Sequence, residues 1–74
     1  MTYCLDTNIC IYHLNNPASA VSGRLKSLPA GDIVIPAMVV AELLYGAEKS
    51  VKREASLERL GIFLSPYAVI DFNL

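Results

Sequence analysis

Tryptophan is missing from these 74 residues, histidine occurs once and cysteine twice. The lone His13 and the pair Cys4 and Cys10, with no second pair following, offer no zinc-ligand spacing. Two cysteines without a secretory signal make no disulfide framework, and both read as small buried hydrophobes. Excess charge of either sign is also missing. Six Lys plus Arg against seven Asp plus Glu leave a net charge of −1. That is not the basic balance of a dedicated nucleic-acid binder. Arg24 with Lys26, and Lys49, Lys52 and Arg53 with Arg59, read as solvated surface. No run is long enough to span a membrane. The longest apolar stretch, Ile33 to Ala41 with its proline, falls far short of the ~20 residues needed. Asp6 and Asn8 interrupt the opening segment where a signal peptide would carry its apolar stretch. A soluble, cytoplasmic protein is expected.

Apolar residues are what the chain has in abundance, 54% against 18% charged. Disordered chains are polar and charge-rich, so a folded domain is expected. A chain this short buries only about 60% of its extended surface, enough for one thin core. The apolar content exceeds what a lone two-layer domain needs. Association with a partner, or membership of a larger domain, is expected.

Tyr3-Cys4-Leu5 reads as a first strand ending at Asp6. Thr7 to Leu14 reads as a helix, with Ile9, Tyr12 and His13 on one face. Asn16 followed by Pro17 reads as a helix restart, an Asn cap and then Pro at the first helical position. That helix should bury Val21, Leu25 and Leu28. Residues 29–32, Pro-Ala-Gly-Asp, form a turn. Ile33-Val34-Ile35 reads as a strand buried on both faces, ended by Pro36. A helix from Ala37 to about Ser50 should bury Val40, Leu43, Leu44 and Ala47. Another, from about Lys52 to Leu64, carries the stripe Leu57, Leu60 and Leu64, and Pro66 stops it. Ala68-Val69-Ile70 is a third strand. The order β-αα-β-αα-β predicts an α/β fold, a three-layer α/β/α arrangement on a parallel sheet. The third strand has no capping helix after it, an odd place for a complete domain to end.

Chemistry concentrates at a few positions. Asp6 follows the first strand, and ligand sites in open parallel sheets lie beyond the strands' carboxyl ends. It is either a site acid or the cap of the next helix. Asn8 points the same way around the turn and could hydrogen-bond a carboxylate or a water, or serve the turn alone. Glu42 is a lone charge within Met38-Val39-Val40-Ala41-Glu42-Leu43-Leu44-Tyr45, costly unless paired or metal-bound. Gly46, one turn on, removes bulk beside that carboxylate. Two carboxylates at the ends of a parallel sheet suggest a hard divalent cation such as Mg²⁺, which takes oxygen ligands and binds substrate phosphates. His13 reads as packing. No Gly-x-Ser-x-Gly elbow and no Gly-rich phosphate loop is present.

Leu5-Asp6-Thr7-Asn8-Ile9 followed by Ala41-Glu42-Leu43-Leu44-Tyr45-Gly46-Ala47 resembles the PIN-domain family, in particular its VapC-type toxins of toxin–antitoxin pairs. The resemblance spans the whole chain, down to Asp71-Phe72 after the third strand. It implies a Mg²⁺- or Mn²⁺-dependent endoribonuclease, acting on tRNA or other structured RNA and blocked by a cognate antitoxin. Asp6 and Glu42 would be catalytic, metal-site acids, with Asn8 in support. Two departures accompany it. Val39 stands where members often carry a Ser or Thr that caps the helix, a loss worth ~1 kcal/mol. Family members also continue into further strands and helices that bring at least one more essential aspartate. Residues 1–74 therefore read as the N-terminal portion of a PIN domain, truncated after the third strand and inactive by itself. The competing reading is a non-catalytic remnant that dimerises, pairs with its missing half or binds an antitoxin. Phosphotransfer on Asp6 is disfavoured, because that chemistry uses Asp-x-Asp and Asn8 holds the third position.

Overall fold

The computed structural model describes residues 2–71. Three strands, β1 (Tyr3–Cys4), β2 (Ile33–Pro36) and β3 (Ala68–Ile70), form a parallel sheet in the order β1-β2-β3. Helices α1 (Thr7–Asn15) and α2 (Ala20–Ser27) connect the first two strands; α3 (Ala37–Glu48) and α4 (Arg53–Leu64) connect the last two. The expected element order and parallel pairing are both present, and Phe72 of the Asp-Phe pair lies outside the described residues.

The core is one cluster. It joins Leu5, Ile33 and Ile35 of the sheet side to Cys10 of α1, Leu25 of α2, Val39, Leu43 and Ala47 of α3, and Leu60 and Phe63 of α4. Residues from all four of these helices thus meet one face of the sheet. Alternation along β2 buries Ile33 and Ile35 completely and leaves Val34 half-buried. Its neighbours in register, Cys4 and Ala68, are exposed. The expectation that β2 is buried on both faces therefore fails here. The described residues supply the sheet and one helical layer, in a body 18 Å thick, with the apolar second face uncovered.

Several local expectations are corrected. The second helix does not start at Asn16-Pro17. Its cap is Ser19, whose hydroxyl accepts from the Ser22 amide, and the first helical residue is Ala20. Asn16 instead closes α1, its amide donating to the carbonyls of Tyr12 and His13. Leu25 is buried as expected, but Val21 is exposed and Ser22 takes the inward position. In α3 the buried stripe is Val39, Leu43 and Ala47, while Leu44 is exposed and Val40 half-buried. Val39 is no missing cap. The helix begins two residues earlier, after Pro36, and Val39 packs in the core. In α4 Leu60 is buried, as is Phe63, which the leucine stripe had not included.

Only one of the two cysteines is a buried hydrophobe. Cys10 is fully buried, whereas Cys4 is exposed. Burial, reinforced by the Asp6 carboxylate, pushes the Cys10 thiol up to about 11. A thiol needs its thiolate form to react. In residues 1–74 by themselves at pH 8, iodoacetamide should alkylate Cys4, on the open sheet face, and spare Cys10, and both should react in denaturant. Equal native rates, read by mass spectrometry, would contradict the placement of Cys10.

Candidate active site

Asp6 lies just past β1 and immediately before α1. Its backbone is extended, and its Oδ1 accepts from the Ile9 amide at 2.8 Å. The capping reading of Asp6 is thus part of its structure. Its second carboxylate oxygen makes no hydrogen bond among the described residues.

Glu42 comes to the same place from the other crossover. It sits in the second turn of α3, which follows β2 directly. The Thr7 hydroxyl donates to Glu42 Oε2 at 3.2 Å, across 35 positions of sequence. Thr7 is the first residue of α1 and the neighbour of Asp6, so the Glu42 carboxylate lies at the helix end that Asp6 caps. The unpaired amides of a helix N-terminus favour negative charge. Glu42 is itself exposed, so the cost expected of a charge in an apolar run does not arise, and solvent together with that helix end accounts for a carboxylate on a mostly apolar helix. Sequence reasoning passed over Thr7 as a site residue. Its only signal was its place between Asp6 and Asn8. Asn8 is exposed, and its side chain makes no hydrogen bond among the described residues.

The donor set fits a hard cation. Asp6 and Glu42 offer only oxygen, and each keeps one oxygen outside the contacts just described. Mg²⁺ is commonly held by one or two carboxylates, with waters and substrate phosphate filling its octahedron. Among the described residues no group of three or more His, Cys, Asp or Glu gathers to form a closed metal cage.

Beside Glu42 a concave surface of about 270 Å³ opens between α1, α3 and α4. Leu43, Gly46 and Ala47 form its α3 wall, Leu14 and Asn15 its α1 wall, and Arg59 lines it from α4. A Cβ at Gly46 would meet nothing within 4 Å, so packing within this chain does not demand glycine there. The Arg59 guanidinium donates to the Leu14 carbonyl near the end of α1. That contact satisfies one of the carbonyls a helix end leaves unpaired.

His13 packs as expected, with its ring centroid 5.1 Å from that of Phe63. It also enters a polar network that the sequence did not announce. The Ser22 hydroxyl, fully buried, donates to the Asn16 carbonyl at 2.8 Å and accepts from the Ser19 hydroxyl at 3.1 Å. A hydroxyl has one proton, so His13 Nδ1, 2.6 Å from the same oxygen, is the donor in that pair. Burial first, and Lys26 second, hold His13 below the ordinary histidine range. Its folded pKa is thus lower than its unfolded one, and the unfolded chain takes up the proton more readily. The His13 contribution is present above pH ~6.5 and is lost as pH falls through the depressed value. Thermal melts should show a drop between pH 7.5 and 5 that His13→Gln flattens. An unchanged pH profile in that variant would contradict the assignment.

Comparison with known proteins gives the family. Residues 3–74 match the family model described as "PIN domain". The chain is 43% identical over 74 residues to ribonuclease VapC2 of Rickettsia felis, covering 99% of this chain and 55% of that protein. It is 37% identical over 73 residues to the tRNA(fMet)-specific endonuclease VapC of Shigella flexneri, covering 99% and 54%. Among solved structures it resembles VapBC2 of Rickettsia felis bound to a DNA fragment from its promoter. There the TM-score is 0.87 at 42% identity, over 99% of this chain and 56% of that one. DNA-bound VapBC of Salmonella typhimurium gives 0.88 at 32% identity, over 100% and 55%. The chain thus spans about half the length of the relatives it matches. Among the described residues no helix is long and apolar enough to cross a membrane. With a family match over nearly its whole length and a parallel sheet that superposes on VapC chains, this chain belongs to the PIN-domain family.

Proposed function

We propose that the protein is a VapC-type toxin, an endoribonuclease that cleaves RNA phosphodiester bonds in the cytoplasm with Mg²⁺ or Mn²⁺. The observation that carries this reading is the meeting of Glu42 with Thr7 at the helix end capped by Asp6, in a chain of this family. Asp6 and Glu42 would hold the metal. A divalent cation bound there supplies charge neutralisation at the scissile phosphate and a more acidic water. Asp6 is held in place by the Ile9 amide, and Glu42 by the Thr7 hydroxyl. Such fixed contacts keep both carboxylates oriented before substrate arrives. Asn8 would orient a water or a phosphate oxygen from the same turn.

The named relatives favour RNA as substrate, and one of them is a tRNA(fMet)-specific endonuclease. The two solved relatives are toxin–antitoxin complexes, which supports a VapB-type antitoxin as partner. A homodimer, or association with the rest of a longer PIN domain, would cover the open sheet face. Residues 1–74 by themselves should cleave RNA weakly or not at all, because they offer two site carboxylates. The non-catalytic alternative, a dimerisation or antitoxin-binding module, draws on the same shortage of acids.

The deciding experiment assays the full encoded protein against total tRNA with Mg²⁺, with Mn²⁺ and with EDTA. Metal-dependent cleavage is expected. Its absence from a folded protein, with antitoxin removed, would leave the binding-module reading.

A further inference from the structure

The concave surface beside Glu42 continues past Arg59 into a second one. This neighbour, of about 490 Å³, is lined by His13, Pro17, Ile62 and Phe63. Leu14, Asn15 and Arg59 line both, so Arg59 stands where the two join. The result is a groove that starts at a proposed metal-site carboxylate and runs over the ends of α1 and α4.

Among the described residues, Arg59 is the only Lys or Arg that lines either half. Among the described residues it has no carboxylate within ion-pair distance; the recorded ion pair is Arg53 with Glu48. One terminal nitrogen is fixed on the Leu14 carbonyl, and no other partner for the guanidinium is recorded among the described residues. A planar fork tethered at one corner is oriented before a ligand arrives, and two parallel N–H donors match a phosphate.

We propose that this groove is the track of the RNA strand, with Arg59 as a clamp on a phosphate of the bound strand and with Asn15 lining both halves of the groove with it. The inference rests on the nuclease reading of Asp6 and Glu42. It adds a binding residue that the acid motifs do not contain. An RNA strand is favoured over an acidic peptide because the groove opens at Glu42. A cation further along the groove that opens at that carboxylate is what a polyanion bridging metal and arginine requires. Arg59 would then be a binding residue, and its tie to Leu14 would position it.

The test uses the full encoded protein carrying Asp6→Asn, so that RNA stays intact, and a fluorescent single-stranded RNA oligonucleotide. Binding is titrated by anisotropy between 50 and 200 mM KCl. Adding Arg59→Gln should weaken binding roughly tenfold and lower the slope of log K against log salt by about 0.7, one phosphate on a single strand. Asn15→Asp keeps the Arg59–Leu14 contact and sets a carboxylate beside the guanidinium. It should lower affinity and slope in the same direction, and it carries the test if Arg59→Gln does not fold. In the active protein, Arg59→Lys should raise KM more than it lowers kcat. A lower melting temperature with affinity and salt slope unchanged would reduce Arg59 to a cap of α1 and overturn the proposal. So would intact RNA binding with loss of antitoxin binding, which would assign the groove to protein. If the unsubstituted protein cleaves no RNA, the nuclease reading fails first, and that result is separate from the Arg59 comparison.

Discussion

Asp6→Asn in the full encoded protein should abolish most RNA cleavage, by about a thousandfold, while leaving the fold nearly as stable as before. Two roles of one side chain separate here. As a helix cap, Asp6 needs only an oxygen that accepts from the Ile9 amide at 2.8 Å. Asn supplies that oxygen, and the two residues cap about equally well. As a metal-site acid it needs its negative charge, which Asn lacks. Metal-borne stabilisation of the transition state amounts to several kcal/mol, and each 1.36 kcal/mol is tenfold in rate. Asp6→Ala should lose the same activity and, in addition, about 1 kcal/mol of stability. Glu42→Gln should follow Asp6→Asn, because its amide oxygen can still accept from Thr7. Circular dichroism melts and initial cleavage rates on the same samples give both readouts. Robust cleavage surviving Asp6→Asn would remove Asp6 from the site and leave it a cap.

Ile35→Ala should be among the most damaging core substitutions. Ile35 is 0% exposed on β2, the strand paired on both edges. Truncating a buried Ile removes transfer energy and leaves a cavity, about 2–5 kcal/mol together. Native domains have only about 5–15 kcal/mol to lose. The urea midpoint should fall by roughly 1–2 M. In residues 1–74 by themselves, Val34→Ala, on the opposite face of the same strand, should cost much less, because Val34 is only half-buried there. A small loss at Ile35 would contradict its placement in the core. In the full encoded protein, a loss at Val34 as large as that at Ile35 would mean that a further layer of the protein covers the second sheet face.

Much of the scaffold is legible in the sequence. Ile33 and Ile35, β-branched and bounded by a turn and a proline, could hardly be anything but a strand. Asp6 stood out because it ends the first strand, and Glu42 because it interrupts an apolar helix. Local signals misled where two of them competed. Asn16-Pro17 has the composition of a helix start, yet Ser19 makes the cap bond. In α3 nearly every position is apolar, so more than one stripe fits the helical period. Val39 was buried rather than Leu44 because the sheet lies on that side.

The sequence by itself determined the order of the elements and the parallel sheet. Both follow from local preference and from the rule that strands joined by helical crossovers pair in parallel. The tertiary structure alone decided which partners meet. Thr7 reaches Glu42 across 35 positions, and Arg59 reaches Leu14 across 45. It also decided that Cys10 is buried and Cys4 is not. Neither outcome is written in periodicity, because both depend on how the two crossovers pack helices from distant parts of the chain onto one face of one sheet.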